Sequence, residues 1–333
     1  MESYNITAGI KSILMLAALA LFYTGCTSTS AVVDEQKGKS IFLADPTIFH
    51  HDGTFYLYGT GSNKGFTVYT SSDLRSWEGP KGVNNGHALL KGESFGSRGF
   101  WAPQVLDFND KFYMAYTANE SIAIAESESP LGPFKQTELK ALEAPVRQID
   151  PFIFIDDDGT KYLYHVRVAN GGNRIYVAEL KDDFSGIKTE TLKLCIDATE
   201  HWEDTENAKW TVIEGPTVIK RNDLYYLIYS ANHFKSKDYA VGYAVSNSPY
   251  GPWEKYEGNP IISRNNVNEP GAGHGDLFND GDDFYYVFHT HNSDTTVGPR
   301  RTALIKAEFG SASEAAPLGV KENTFQYLTV PEH

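Results

Sequence analysis

Five times along this chain a short opening built on proline or glycine leads, through a Gly/Asp/Asn turn, into a strand dense in aromatic residues. Asp45-Pro46 leads to Phe55-Tyr56-Leu57-Tyr58, Ala102-Pro103 to Phe112-Tyr113, and Asp150-Pro151 to Tyr162-Leu163-Tyr164. Glu214-Gly215-Pro216 leads to Tyr225-Tyr226-Leu227, and His274-Gly275 to Phe284-Tyr285-Tyr286. The copies recur about every 50 to 60 residues, a period that means a propeller or an array.

Each copy carries a second, quieter pattern, an alternating strand that ends in a Ser-rich or Gly-Pro turn. Phe66 to Tyr69 runs into Ser71-Ser72-Asp73, Ile122 to Ala125 into Ser129-Pro130-Leu131-Gly132-Pro133, and Tyr239 to Val245 into Ser248-Pro249-Tyr250-Gly251-Pro252. Two hairpins per repeat give about four strands, which is one propeller blade. The prediction is therefore an all-β, five-bladed β-propeller, each blade a four-stranded antiparallel sheet. No sustained 3.6-residue apolar period argues for a helix in the body of the chain. No linker composition interrupts the repeats between residues 41 and 310, so 41–333 reads as a single propeller domain.

Ahead of the repeats, Lys11 precedes the apolar run from Ile13 to Phe22, too short for a bilayer span and shaped like a signal-peptide core. The run ends at Tyr23-Thr24-Gly25-Cys26, which resembles a bacterial lipoprotein cleavage box. Residues 1–25 are expected to be a leader and Cys26 its lipidated successor, with ordinary secretion as the alternative. Residues 26–40 read as a flexible polar tether. The expected location is the periplasm or the outer membrane, with membrane contact only through the anchor, and the chain is expected to be a monomer. Cys195 is the one other cysteine and reads as a small core side chain. A formal charge of −14 disfavours nucleic acid and anionic membranes and suits a neutral substrate.

The first strands of propeller blades gather around one channel mouth, so the five openings converge although they are distant in sequence. Three of them carry a carboxylate (Asp45, Asp150, Glu214) and a fourth carries His274. A lone Asp before Pro is most often a turn former. An acid recurring in three of five copies points instead to use, because carboxylates crowded into one opening repel one another and lose solvation. Hydrolysis of a glycosidic bond needs such a set: a protonated carboxyl for the leaving oxygen and an ionised one for water. A third can raise the acid's pKa and orient it. Glu214 is the only Glu among the three and has the longer arm.

The set Ala44-Asp45-Pro46, Trp101-Ala102-Pro103, Ile149-Asp150-Pro151-Phe152, Glu214-Gly215-Pro216 and Gly273-His274-Gly275, in this order and spacing, resembles glycoside hydrolase family 43. The resemblance covers residues 41 to 310. It implies a five-bladed propeller that hydrolyses arabinose- or xylose-containing glycans with inversion. It also implies Asp45 as general base, Glu214 as general acid and Asp150 as the residue that tunes and orients the acid. No cofactor is required for the chemistry. His274 would either help to hold a calcium ion in the central channel or play a hydrogen-bonded structural part.

Trp101 would stack on a sugar face or pack between blades. Arg301, at the start of an alternating strand, is preferred over Arg300 as a binder of substrate hydroxyls, since neighbouring strand residues face opposite ways. Phe66 is expected at the pocket, with Phe100, His233 and Phe234 as further lining. The leading expectation is an exo-acting α-L-arabinofuranosidase or β-xylosidase, with arabinose favoured because only about 20 residues follow Phe309, too few for a further β-sandwich domain. The alternatives are an endo-α-1,5-L-arabinanase, an exo-β-1,3-galactanase, or a non-catalytic glycan-binding surface lipoprotein.

Overall fold

A computed structural model describes residues 38–311 and 316–332. The expected leader, Cys26 and most of the expected tether lie outside these residues. The last residues assigned to the tether belong to the fold instead: Gly38–Ser40 pairs antiparallel with Thr329–Pro331. Backbone pairing between the two ends of the domain outweighs the polar composition that made this stretch read as linker.

The described chain is a five-bladed β-propeller. The innermost strands of the blades are Ala44–His51, Trp101–Phe108, Arg147–Ile155, Thr211–Arg221 and Gly273–Asp280. Each neighbours the next, and the fifth returns to the first. Behind them stand the second strands Thr54–Thr60, Lys111–Ala118, Lys161–Ala169, Leu224–Ala231 and Asp283–Thr290, all paired antiparallel with their own inner strand. The third, fourth and fifth blades reach four strands. The first and second hold three, and the fourth strand is reduced to the single bridges Thr70–Glu78 and Glu126–Lys135. Among the described residues the only α-helix is the one-turn Arg264–Val267.

The aromatic runs follow from the position of the second strands, which are covered on both faces. Successive side chains point to opposite sides of a strand, so alternate residues fill the two flanking blade junctions. In the fourth blade Tyr225, Leu227 and Tyr229 pack toward the third, while Tyr226 and Ile228 pack toward the fifth. The same split occurs at Tyr58 and Leu57 in the first blade, Met114 and Ala115 in the second, Tyr164 and Leu163 in the third, and Tyr286 and Val287 in the fifth. Burying each such ring or aliphatic side chain is worth about 1.5–3 kcal/mol. The hydrophobic effect is thus spent between blades, and it closes the circle.

Tyrosine suits this role because its hydroxyl can bond at the rim of an apolar seam. Tyr164 donates to the carbonyl of Pro249 at 2.6 Å, and Tyr58 donates to the equivalent carbonyl of Pro130. The Ser-Pro-x-Gly-Pro turns of the second and fourth blades therefore latch onto the blade before them. Gly132 in one of these turns has φ +84°, and a Cβ there would lie 2.1 Å from the carbonyl oxygen of Ala88.

At the ring closure, Thr302 Oγ1 accepts from Leu43 N–H and donates to the Leu43 carbonyl, both at 2.9 Å. The closure holds Asp45, two residues on, beside the last blade.

Candidate active site

Every inner strand opens with the same distortion. A residue in the left-handed region stands at Asp45 (φ 47°), Ala102 (45°), Asp150 (53°), Gly215 (61°) and His274 (44°). At each, the ladder to the second strand skips, as a β-bulge does. For a non-glycine residue this conformation costs about 1–2 kcal/mol, and strain of this kind concentrates at working sites. The bulges turn the five openings inward around a narrow channel lined by Asp45, Thr47, Gln104, Asp150, Thr217, His274 and Asp276.

This register corrects the expectation that three acids share one position of the repeat. Asp45 and Asp150 do, but Gly215 holds that position in the fourth blade, and Glu214 lies one residue earlier, aligned with Trp101, Ile149, Ala44 and Gly273. A Cβ on Gly215 would press 2.9 Å from His274 Cδ2, so the neighbouring ring, rather than φ alone, favours a glycine at this one bulge.

The bulge leaves one buried amide per blade in need of an acceptor. The second strand of the preceding blade supplies it in four cases. Ala102 N–H bonds to Thr60 Oγ1 (3.0 Å), Asp150 N–H to Thr117 Oγ1 (2.9 Å), His274 N–H to Ser230 Oγ (2.8 Å) and Asp45 N–H to His289 Nδ1 (3.1 Å). The equivalent residue of the third blade is Val166, opposite Ile149 as Thr60 is opposite Ala44. Its side chain accepts nothing, and Gly215 N–H turns to Asp150 Oδ2 at 3.3 Å. Asp150 is thereby drawn toward the strand that carries Glu214.

The three carboxyls are buried and differ in what surrounds them. Asp45 Oδ1 lies 3.0 Å from Arg300 Nη1, and Oδ2 accepts from Thr60 Oγ1 at 2.7 Å. Burial opposes ionisation, but Arg300, then the flanking imidazoles and Thr60, hold this carboxyl far below the usual range. Glu214 has no cation in contact; Tyr239 donates to Oε1 (2.8 Å) and Asn173 to Oε2 (3.3 Å). Burial outweighs these donors and, with the charge of Asp45, pushes Glu214 up to about 7. Asp150 is raised too, by burial first and then by Glu214 and Asp45. Near neutral pH, Asp45 is ionised while the Asp150–Glu214 pair holds a proton as a unit.

His274 sits between the acids, its Nδ1 3.5 Å from Asp45 Oδ1 and 3.9 Å from Asp150 Oδ2. Burial lowers its pKa, so the ring is neutral. A calcium site asks for about six to eight oxygen ligands. Among the described residues no group of three or more His, Cys, Asp or Glu is arranged to hold an ion, and the hydroxyls of Thr47 and Thr217 already reach Asp276 at 2.6 and 3.2 Å. The channel residues do not build a calcium cage.

Trp101 stands 37% exposed at the second opening, free on its outer side. Arg301 is not at the site: its guanidinium lies 3.3 Å from the Tyr327 ring centre. Arg300 is the arginine that enters, and Phe234 supports it with its ring 4.9 Å from the guanidinium. The two arginines do face opposite ways as alternation demands; the residue just before the strand is the inward one. Phe66 is also misplaced by the sequence reading. It is fully buried between Phe100 (5.9 Å) and Tyr116 (5.6 Å) in the seam of the first two blades, and Phe100 is buried with it. His233 is exposed, stacked on Phe234 at 4.6 Å. Tyr239, Asn173, Thr60 and His289 were missed. Aligning the ends of the second strands could have found Thr60 and His289, but nothing local marks Tyr239 or Asn173.

A closed β-ring that buries three carboxyls with opposed protonation at one axial mouth defines a glycosidase. Residues 39–310 match the model of glycosyl hydrolases family 43. A crystal structure of an endo-1,4-beta-xylanase from Bacteroides thetaiotaomicron is 39% identical, with a TM-score of 0.80, covering 88% of this chain and 98% of that one. A thermostable family-43 glycoside hydrolase is 37% identical, with a TM-score of 0.78 over 90% and 99% of the two chains. A beta-D-galactofuranosidase of Aspergillus niger is 25% identical, aligned over 88% of this chain and 87% of its own. An arabinoxylan arabinofuranohydrolase of Bacillus subtilis is 27% identical over 87% and 66%. This chain belongs to glycoside hydrolase family 43, a family of inverting glycosidases that need no cofactor for the chemistry.

Proposed function

We propose that this enzyme removes α-L-arabinofuranosyl or β-xylosyl units from the ends of plant-type glycans, with Asp45 as base, Glu214 as acid and Asp150 as the tuning residue. Asp45 takes a proton from water as the water oxygen bonds to the anomeric carbon. Glu214 gives its proton to the glycosidic oxygen as that carbon–oxygen bond breaks. The anomeric centre inverts, and both carboxyls are left to exchange protons with solvent. The observation that carries this reading is the contrast around two buried acids at one mouth: Asp45 has the Arg300 guanidinium at 3.0 Å, which favours its ionised form, while Glu214 meets only the neutral donors Tyr239 and Asn173, and burial favours its protonated form.

The arabinofuranohydrolase and galactofuranosidase relatives support a five-membered ring, since β-D-galactofuranose and α-L-arabinofuranose share ring configuration and differ by an exocyclic carbon. The similarity to a structure described as an endo-1,4-beta-xylanase favours a second reading, internal cleavage of a xylan chain. Trp101 and Arg300 are proposed to bind the sugar, by stacking and by hydrogen bonds to its hydroxyls.

A panel of aryl glycosides and arabino- and xylo-oligosaccharides, with product anomers followed by NMR from the first turnover, tests the reading. Retained configuration in the first product would overturn it, and dominant release of internal oligomers would favour the second reading. Glu214→Gln is expected to lower kcat about 10²–10⁴-fold on substrates with poor leaving groups while sugar binding persists. Full activity in that variant assigns the acid elsewhere.

The leader motif supports export of this enzyme, and Cys26 supports a lipid anchor in the periplasm or outer membrane on an otherwise monomeric protein. Cys26→Ala should shift the protein from the membrane to the soluble fraction. A variant still held in membranes would sink the anchor.

A further inference from the structure

Trp210 is 41% exposed, and among the described residues it joins, like Trp101, none of the interblade hydrophobic clusters, which hold the other three tryptophans. It immediately precedes the strand Thr211–Arg221, four residues before Glu214. Its indole Nε1–H points inward and donates to Asn173 Oδ1 at 3.0 Å. Asn173 is buried on the third strand of the preceding blade, where Gly172 and Asn173 run parallel to Thr211 and Val212. An indole nitrogen can only donate, so this bond fixes the amide: Oδ1 faces Trp210, and Nδ2 faces Glu214 Oε2 at 3.3 Å. The exposed ring and the carboxyl are thus two hydrogen bonds apart on one rigid frame.

Glu214 must meet the glycosidic oxygen, and the sugar beyond that oxygen therefore lies on the Glu214 side of the mouth. A flat, half-exposed indole anchored by its polar edge is the surface on which a sugar face stacks. Trp101, exposed to a similar degree, opens the second blade rather than the fourth and is not tied to Glu214. The two rings flank the mouth at separate openings.

Resting on the glycosidase reading above, we propose that Trp210 is the leaving-group platform of this enzyme: it stacks the pyranose or furanose ring on the far side of the scissile bond and, through Asn173, orients the Glu214 carboxyl toward that ring's oxygen. Trp210 is a specificity residue and Asn173 a positioning residue. Oligosaccharides gain from the platform, whereas a glycosyl fluoride, with no leaving sugar and little need of a proton, does not.

The test compares wild type, Trp210→Ala, Trp210→Phe and Asn173→Ala on one glycon presented as its fluoride and as a trisaccharide. Trp210→Ala is expected to raise KM for the trisaccharide about three- to tenfold, the value of one aromatic stacking contact, and to leave kcat/KM for the fluoride within about twofold. Trp210→Phe, which keeps a ring and loses the N–H, should restore the trisaccharide KM. Asn173→Ala should move the alkaline limb of kcat/KM to higher pH without raising that KM, because a donor to the ionised acid is lost. Equal losses on fluoride and trisaccharide in Trp210→Ala, or failure of Trp210→Phe to restore KM, would overturn the platform. An unmoved limb in Asn173→Ala would overturn the positioning role. If wild type hydrolyses neither arabinosyl nor xylosyl fluoride, the substrate reading falls instead, and the trial is repeated on the glycon it does accept.

Discussion

The junction between the third and fourth blades differs from the other four in one atom type, and the catalytic arrangement differs with it. Elsewhere, a hydroxyl or imidazole from the preceding second strand (Thr60, Thr117, Ser230 or His289) caps the amide of the left-handed residue. At the third blade Val166 stands in that place, and the Asp150 carboxylate caps Gly215 instead. Four junctions satisfy the backbone with a neutral group, two of which, Thr60 and His289, also lie against the Asp45 carboxylate. The fifth satisfies it with a titrating group, which couples Asp150 to the strand of Glu214. A buried N–H seeks an acceptor whatever the source, so removing one hydroxyl from a repeated pattern is enough to recruit a charge.

The comparison breaks most severely at Asp150→Asn. The amide still accepts from Gly215 but carries no charge, so kcat should fall about 100-fold. The alkaline limb, expected near the value of about 7 to which Glu214 is raised, should move to lower pH because a repelling neighbour has gone. An unchanged limb would show that Asp150 does not act on Glu214 by charge. The acid limb follows Asp45, whose pKa lies below the usual carboxylate range. Activity should therefore persist as pH falls through 4 for as long as the fold does.

Val166→Thr makes the odd junction like the others. The new hydroxyl takes Gly215 N–H and Asp150 loses that donor. Its pKa then rises further, because the Gly215 bond is one of the contacts that lowers it. Asp150 then stays protonated over a wider range and repels Glu214 less, so kcat should drop about tenfold, equivalent to about 1.4 kcal/mol, with the alkaline limb lower. Kinetics within twofold of wild type, alongside an unchanged melting temperature, would mean that the Gly215 amide does not place Asp150.

Ser230→Ala is the converse at an ordinary junction and carries the smallest effect on turnover. His274 N–H is left without its acceptor in a buried position, costing about 1–3 kcal/mol of stability. Activity per folded molecule should remain within about threefold of wild type. Thermal melting separates the two effects; a stable variant with collapsed activity would make Ser230 part of the chemistry.

The repeat made much of this legible in advance. Aromatic runs such as Phe55 to Tyr58 announce strands covered on both faces, and the recurring Pro/Gly openings mark where five strands turn inward. Asp45, Asp150 and Glu214 stand out because chemistry-bearing residues interrupt an otherwise structural motif. The one-residue offset of Glu214 was not legible, because the register is defined by the left-handed residue, and Glu214-Gly215-Pro216 and Asp150-Pro151 look alike until the φ angles are known. Arg301 and Phe66 were misplaced for a related reason. Alternation says that neighbours face apart without saying which faces in, and a phenylalanine near a strand start suits a seam as well as a pocket.

By itself the sequence determined the number of blades, the family and which acids stand at the blade openings, since turn chemistry, strand alternation and short motifs are written within a few neighbouring residues. The tertiary structure decided which residues govern those acids. Arg300 meets Asp45 across 255 positions of chain, Tyr239 reaches Glu214 from the loop before Ala240–Ser246 and Asn173 from the strand Gly172–Glu179, and Val166 acts through an acceptor it lacks. Protonation depends on burial and on charges that only ring closure brings together, and no local pattern records it.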